Sequence, residues 1–427
     1  MKTKYLKISK RIVIILLAVF TIAGIIACGG SANITGSGGD VDVSQSSDSP
    51  SGSKINSNLP TWELGYKPDL SGPEPASYYV IRYTASGSSK LDKATMNLVS
   101  RTANLQVYVE KGYSYNKANI TQVTSKFENN YKQMTNIYGT HTDMDKNGKI
   151  KLFFVKINEN SNSDVLATGY FFPNDLIYGS ANNGEILYMD IDLLNTQPQD
   201  ISATVLHEFQ HLINFNVNYI KKGKRMSLWL DESLAESTTV LFDSSVAQSR
   251  IREFNQINYY CFYTWNLPTY SYGFVNYPSA SVFMNWLYIK NGRNSDVFKK
   301  IATSSQSQDY DKILKSVAGA SSWKDLLTDW INGVRSGQVS GASIRSRSSA
   351  TLYPGAVIYD GSRVRVNAST ELANPSSAAI RVSKASSVSV MGRSVMNNDE
   401  EEVSLQNNGK PKYIDLSFDT DGKIRKY

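Results

Sequence analysis

Apolar residues recur at helical spacing in several parts of the chain, and these parts predict helices. A first amphipathic helix is predicted between residues 120 and 139, where apolar side chains fall three or four positions apart: Val123, Phe127, Tyr131, Met134 and Ile137. A second is predicted from Asp200 to about Asn216, with Asp200 or Ser202 as its N-terminal cap. Further helices are predicted near residues 230–242, 278–290 and 308–335.

Other segments have the composition of β-strands. "ASYYVIRYTASG" and "ANLQVYVEKGY" are rich in β-branched and aromatic residues, and "NGEILYMDIDLL", which contains Asp190 and Asp192, is a third candidate. After about residue 338 the chain becomes rich in Ser, Val and turn residues, which predicts short strands. The fold class that follows is α+β, with a β-rich N-terminal part and a small C-terminal β domain.

The first 27 residues have the pattern of an export signal. A basic segment, "MKTKYLKISKR", precedes an apolar run that is short for a membrane span of about 20 residues. The run ends in "IIAC", which resembles the lipobox of bacterial lipoproteins. In that family the signal is cleaved before the cysteine, here Cys28, which then carries the lipid anchor. The alternative is an uncleaved transmembrane anchor, and both interpretations place the rest of the chain outside the cytoplasm, in the bacterial cell envelope.

Composition divides the remainder into three parts. Residues 28–58 are rich in Gly, Ser, Asp and Asn and poor in apolar residues, which predicts a flexible tether. Residues 59–337 form the predicted main domain, with a β-rich part at 59–122 and a catalytic core at 123–337. Residues 338–427 form the predicted C-terminal β domain.

The charge of the chain gives no indication of a nucleic-acid partner. The formal net charge is +7. Five of the basic residues lie in the first 27 positions, which hold no acid, so cleavage of the signal leaves 7 − 5 = +2. A charge this small does not favour binding to a polyanion. The chain has two cysteines, so lipidation of Cys28 leaves Cys261 without a disulfide partner, as a small buried apolar side chain.

Two of the three histidines of the chain lie four residues apart, in "LHEFQHLINF". On a helix, His207 and His211 share one face and can bind the same ion. Imidazole is a good Zn²⁺ ligand, and Glu208 stands one step round the helix, where it can take a proton from a metal-bound water. This is the HExxH arrangement of zinc hydrolases.

A catalytic zinc needs a third protein ligand and an open fourth position. The HExxHxxGxxH pattern is absent, because Asn214 and Val217 stand where it requires Gly and His. "WLDESLAES" instead supplies Glu232 and Glu236 on one helical face. We predict Glu232 as the ligand and Glu236 as the acceptor for the outer N–H of a metal-bound histidine.

These two segments together resemble the gluzincins, the thermolysin-like zinc peptidases with two His ligands and one Glu ligand. The run "DMDKNGKIKLFF … NGEILYMDIDLL … TVLHEFQHLINF … WLDESLAES" is most similar to the hyicolysin-type bacterial metallopeptidases, roughly over residues 100–340. The resemblance implies zinc at His207, His211 and Glu232, with Glu208 as the catalytic base. It also implies an α+β zincin-like core with a mixed sheet, an active-site helix and a more helical lower part.

Peptide hydrolysis also needs a hydrogen-bond donor for the oxyanion of the tetrahedral intermediate. No histidine follows His211, so a tyrosine or an arginine must serve. "YSYGFVNYPSASVFMNWLY" offers Tyr270, Tyr272 and Tyr277, and Tyr277 stands where the resembled family tends to carry a tyrosine.

The segment "DMDKNGK" has features of a calcium-binding loop. Asp143, Asp145 and Asn147 occupy positions 1, 3 and 5 of such a loop, and Gly148 stands at the turn. Phe154 at position 12 and a predicted strand exclude an EF-hand. A non-helical Ca²⁺ loop and an ordinary Asx-rich turn both remain open.

The sequence favours an exported, lipid-anchored zinc endopeptidase that acts on protein or peptide substrates. Two alternatives remain: a surface lipoprotein that keeps the zincin fold for binding or adhesion, and an aminopeptidase. The chain lacks the Gly-x-Met-Glu-Asn segment with which aminopeptidases of this group hold a free amine, which favours internal cleavage.

Overall fold

The structure is a computed structural model, and it describes residues 76–84, 89–160, 165–176, 182–265, 275–304, 310–383, 389–390 and 412–416. The predicted signal peptide with Cys28, the tether, Tyr270 and Tyr272 lie outside these described residues. Within them, no helix is both long enough and apolar enough to span a membrane.

The strands of the described residues form one large sheet and two small ones. In chain order they are β1 (Ala76–Tyr83), β2 (Ser89–Arg101), β3 (Leu105–Glu110), β4 (Ile150–Val155), β5 (Val165–Phe171), β6 (Ile186–Asp190), β7 (Ala350–Leu352), β8 (Val357–Tyr359), β9 (Val364–Val366), β10 (Ile380–Val382), β11 (Ser389–Val390) and β12 (Lys412–Leu416). The large sheet has the order β1-β2-β3-β4-β6-β5-β12. Strands β3, β4 and β6 are parallel, β5 is antiparallel to β6, and β12 is parallel to β5.

The helices of the described residues are α1 (Lys117–Tyr138), α2 (Ile191–Thr196), α3 (Pro198–Asn214), α4 (Leu228–Phe242), α5 (Ser244–Phe254), α6 (Asn276–Lys290), α7 (Asp296–Thr303), α8 (Tyr310–Ala318) and α9 (Trp323–Arg335). Helix α1 lies between β3 and β4 along the chain, and the other helices lie between β6 and β7. A short 3₁₀ turn spans Pro173–Leu176, and a π-helical turn, Phe215–Ile220, continues α3. The mixture of α and β elements agrees with the predicted class.

The central strand β4 is buried along its whole length, because both faces of the sheet are covered. Its alternate residues Leu152 and Phe154 belong to the apolar cluster that includes α1 and α3. Phe153 and Val155 point to the other face and join a second cluster formed by strand residues. The period of two along a strand therefore gives the sheet two apolar faces, one of which carries α3.

Helix α1 confirms the predicted amphipathic pattern. Val123, Phe127 and Met134 are buried, and the ring of Phe127 packs against Phe209 of α3 at 4.9 Å between centroids. The helix begins earlier than predicted, because the side chain of Asn116 caps it by accepting the backbone N–H of Ala118 at 2.9 Å.

The predicted third strand ends at Asp190, and Asp192 lies in α2 instead of the strand. Asp190 Oδ1 accepts the backbone N–H groups of Asp192 and Leu193, each at 3.0 Å. This side-chain cap starts a helix at the point where the apolar run would otherwise extend the strand.

The predicted caps of α3 are wrong. The helix begins at Pro198, so Asp200 lies inside its first turn and Ser202 in its second, and neither precedes the helix. Proline suits the first helical position, because its fixed φ is helical and its missing N–H would have no helical acceptor there.

The predicted helix at 308–335 is divided in two. Helices α8 and α9 are separated near Gly319, whose φ of +65° lies in the left-handed region that ends helices. Helices α5 and α7 have no counterpart among the predicted helices.

The C-terminal residues add short strands, in agreement with their composition. Strand β8 forms an isolated bridge with Tyr260, and Leu352 packs in one cluster with Tyr259 and Cys261. Cys261 is buried, as predicted. Strand β12 extends the large sheet instead of forming part of a separate one, and the boundary at residues 337 and 338 stays a prediction.

Candidate active site

Helix α3 carries the predicted metal site at the centre of the fold. His207, Glu208 and His211 are almost completely buried, with 2%, 1% and 6% of their surface exposed. The helix lies close against the sheet at Gly169 of β5, where an added Cβ would come within 2.9 Å of the Thr204 side chain. Only glycine therefore fits there without a shift of α3.

The structure brings His207 and His211 together with Glu232 of α4. Glu232 Oε2 lies 3.4 Å from His207 Nε2 and 3.6 Å from His211 Nε2. One atom from each of the three residues lies within 4.8 Å of the others. Two atoms that bind one zinc at about 2.1 Å in tetrahedral geometry lie roughly 3.4 Å apart. The donor set and its spacing therefore fit a zinc ion.

Glu208 lies beside these groups and lines a cleft with His211 and Asp231. The walls of the cleft come from β5 and the residues after it, α3, the π-helical turn and the segment that leads into α4, and half of the ten lining residues are apolar or aromatic. Five of the lining residues are Phe171, Pro173, Phe215, Tyr219 and Met226. A carboxylate that lines a cleft with both apolar and polar walls is positioned to exchange a proton with a bound molecule.

The outer nitrogen of His211 is held by a residue that the sequence did not single out. Asp231 Oδ1 lies 2.9 Å from His211 Nδ1 and also accepts a hydrogen bond from the Asn214 side-chain amide at 2.6 Å. Asp231 directly precedes Glu232 in the first turn of α4. This contact fixes the orientation of the ring so that Nε2 faces Glu232.

Glu236 lies one helical turn beyond Glu232 and approaches the other histidine. Its Oε1 lies 3.8 Å from His207 Nδ1. Arg250 of α5 binds both oxygens of Glu236, from Nη2 at 3.0 Å and from Nε at 3.1 Å. Sequence reasoning missed Arg250, because nothing in the pattern of α5 connects it to α4.

The site is strongly acidic and favours positive charge at its centre. Burial alone lowers the pKa of His211, but the charges of Asp231 and Glu232 raise it well above its ordinary value. Burial alone raises the pKa of Glu232, but His211 and His207 lower it below its ordinary range. A field that stabilises a proton on the imidazole also stabilises a metal cation in its place, since the two compete for the same nitrogen atoms.

Tyr277 lies near the candidate metal ligands, in the first turn of α6. Its ring centroid is 6.3 Å from that of His207, and the guanidinium of Arg250 lies 5.1 Å above its ring. The side chain is 3% exposed. The third histidine, His141, lies apart from this group and contacts the Tyr131 hydroxyl at 2.8 Å.

In the structure, Glu185, which comes from another segment, lies close to the predicted calcium loop. Asp143 and Asp145 have carboxylate oxygens within 4.8 Å of a carboxylate oxygen of Glu185. Asn147 is engaged within the loop: its Nδ2 donates to Asp145 Oδ2 at 2.7 Å, and its Oδ1 accepts the N–H of Lys149 at 2.6 Å.

Comparisons with known proteins support the relation to metallopeptidases. No family model matches the chain. A stretch of 215 residues is 26% identical to the neutral metalloprotease ShpI of Staphylococcus hyicus and covers 46% of this chain and 48% of that protein. The chain thus spans about half the length of this curated relative, and the match confirms the predicted resemblance to bacterial metallopeptidases.

One solved structure, an aminopeptidase N family protein from Idiomarina loihiensis, is also similar. It covers 62% of this chain and 51% of that chain, at 11% identity and a TM-score of 0.30. A likeness at this level carries no argument about fold or activity.

Proposed function

We propose that this protein is a zinc metalloendopeptidase with a zincin-like core, which hydrolyses internal bonds of protein or peptide substrates. One observation carries the proposal: Glu232 Oε2 lies within 3.6 Å of the Nε2 atoms of both His207 and His211, and Glu208 stands beside them in a cleft. The test is to measure the zinc content of the purified protein and its digestion of casein.

His207, His211 and Glu232 would hold the metal, which when bound lowers the pKa of a coordinated water to roughly 7 and polarises the substrate carbonyl. Glu208 accepts the proton of the attacking water on its carboxylate and then delivers it to the leaving nitrogen. Asp231 keeps the Nδ1 side of His211 occupied, so that Nε2 stays directed at the centre of the site. Glu236 faces the Nδ1 side of His207 at 3.8 Å, which is longer than a hydrogen bond, and Arg250 fixes Glu236 in that position.

The apolar side chains among the lining residues of the cleft support a peptide substrate. Side chains such as Phe171, Phe215 and Met226 lie beside Glu208 and can accept an apolar substrate side chain. Cleavage within casein, without release of single N-terminal residues, would distinguish an endopeptidase from an aminopeptidase. Stoichiometric zinc without any turnover would favour the binding lipoprotein.

Tyr277 is the proposed donor to the oxyanion, because its ring lies 6.3 Å from that of His207. We expect Tyr277→Phe to lower kcat by about 10²-fold or more, since one oxyanion donor has an effect of this size. Zinc content, measured in the same samples, should stay unchanged.

Tyr288→Phe, on the same helix α6, is the matched control and should behave as the wild type. If Tyr277→Phe has near wild-type kcat and Tyr272→Phe does not, the role belongs to Tyr272.

We also propose that Cys28 is lipidated after cleavage of the signal and anchors the protein to a membrane of the cell envelope. Stable anchoring needs two or more lipid chains, which modification of the lipoprotein type supplies. Cys28→Ser is therefore expected to release the protein from the membrane fraction or to leave it as a longer precursor. Fractionation followed by electrophoresis measures both outcomes.

The control for this substitution is Cys261→Ser, because Cys261 is buried in the fold and should not affect partitioning. Unchanged partitioning and size of the Cys28→Ser protein would rule out lipidation at this residue.

A further inference from the structure

We propose that Asp143, Asp145 and Glu185 form a Ca²⁺ site that is separate from the zinc-binding residues. The two aspartates lie in the loop between α1 and β4, and Glu185 directly precedes β6. One carboxylate oxygen of each residue lies within 4.8 Å of the other two. The proposal does not depend on peptidase activity.

The main observation is the state of Glu185. Its side chain is fully buried, at 0% exposure. Oε1 accepts the backbone N–H of Met144 at 2.9 Å, whereas no described donor lies within hydrogen-bond distance of Oε2. A buried carboxylate oxygen that has lost water without gaining a donor is costly. A divalent cation held against Oε2 and the two aspartates would remove this cost.

The charges around Glu185 do not cancel, so the cluster favours binding of a cation. The three carboxylates bring three negative charges, and the amine of Lys151, which is buried and contacts Asp145, brings one positive charge. The cluster therefore keeps a net charge of about −2 before any ion binds. The rival explanation is that Lys151 alone serves as the counter-ion, and it predicts no calcium binding.

The donor set favours calcium over zinc. All three side chains offer oxygen atoms, which suit hard cations, and the cluster contains no His or Cys. Asp143 lies at the solvent-exposed side of the loop, so water can complete the six to eight oxygen ligands that calcium takes. Mg²⁺ requires a near-ideal octahedron at shorter distances and is expected to bind more weakly.

The position of the cluster gives the ion a structural role. Strands β4 and β6 pair in parallel, with Lys151 opposite Ile186, so the loop before β4 and Glu185 before β6 meet at the same edge of the sheet. An ion there would join two segments that are far apart in sequence and would stabilise the sheet on which α3 rests. The expected effect is therefore on unfolding, and activity should change little at low temperature.

The experiment uses the full protein, treated with a chelator and then given one equivalent of zinc. CaCl₂ and MgCl₂ are titrated separately by calorimetry, and Tm is measured with and without each salt. We expect Ca²⁺ to bind and to raise Tm by roughly 5 °C at a hundredfold excess over Kd. Glu185→Gln keeps the shape of the side chain and should weaken Ca²⁺ binding by about tenfold or more.

Asp143→Asn, in the exposed loop, gives a second test if the Glu185 variant does not fold. Glu159→Gln is the matched control at a partly exposed glutamate and should bind Ca²⁺ as the wild type does. Absence of Ca²⁺ binding at millimolar concentration, equal affinity for Mg²⁺, or wild-type affinity in both variants would overturn the proposal. If the protein binds zinc and cleaves casein but does not bind Ca²⁺, the calcium site is refuted and the proposed function is not affected.

Discussion

Glu208→Gln is expected to keep zinc bound and to lower casein hydrolysis by about 10²- to 10⁴-fold, the range typical of a general base. Glutamine has nearly the same shape as glutamate but cannot accept a proton at neutral pH. Glu208 is 1% exposed and lines the cleft, so an isosteric change preserves the packing around it. The measurement is kcat/KM on casein together with the zinc content of the same preparation.

Glu371→Gln is the control, because the side chain of Glu371 is exposed and does not line the cleft. Its activity should equal that of the wild type. Two outcomes contradict the assigned role: a Glu208→Gln protein that cleaves casein at the wild-type rate, or wild-type protein without stoichiometric zinc.

The two glutamates of α4 are expected to differ sharply in their effect on zinc binding. Glu232 Oε2 lies 3.4 Å and 3.6 Å from the Nε2 atoms of the two histidines, so Glu232→Ala should abolish binding at ordinary zinc concentrations. Glu236 approaches only the outer nitrogen of His207, at 3.8 Å. Glu236→Ala should therefore weaken zinc binding by only about 10- to 100-fold.

Competition with a chelator of known affinity measures both changes. Glu232→Gln and Glu236→Gln accompany the alanine variants, since both glutamates are buried and the amides preserve side-chain volume. Glu236→Ala also removes both carboxylate oxygens that accept hydrogen bonds from Arg250, whereas Glu236→Gln keeps one oxygen that can accept a hydrogen bond from Arg250. If Glu236→Ala abolished zinc binding and Glu232→Ala only weakened it, the roles of ligand and supporting residue would have to be exchanged.

The helix that carries the proposed zinc ligands could be predicted because the pattern that identifies it is local. Residues four apart on a helix share a face whatever the rest of the chain does, so the spacing of His207 and His211 was sufficient. The same period predicted α1 and α4, and the β-branched and aromatic content predicted several strands. Boundaries were less accurate, because the caps at Asn116 and Asp190, and Pro198 at the first position of α3, compete with the apolar pattern on either side of them.

Residues that act through contacts between distant segments could not be predicted in this way. Arg250 reaches Glu236 only because α5 packs beside α4, and Glu185 meets Asp143 and Asp145 only because β4 and β6 pair in parallel. Asp231 could have been found from sequence, since it is an acid next to the predicted ligand at the start of a helix.

The sequence by itself thus determined the α+β class, the helix that carries HExxH and the acidic segment that follows it. Each depends on residue type and short-range periodicity, which the backbone geometry of helices and strands fixes. Only the tertiary structure decided that Glu232 faces both Nε2 atoms, that Asp231 and Arg250 hold the groups behind them, and that β12 lies against β5. Those contacts arise from the order of strands in the sheet and the packing of α3 between the sheet and α4, which depend on the whole chain and not on any one segment.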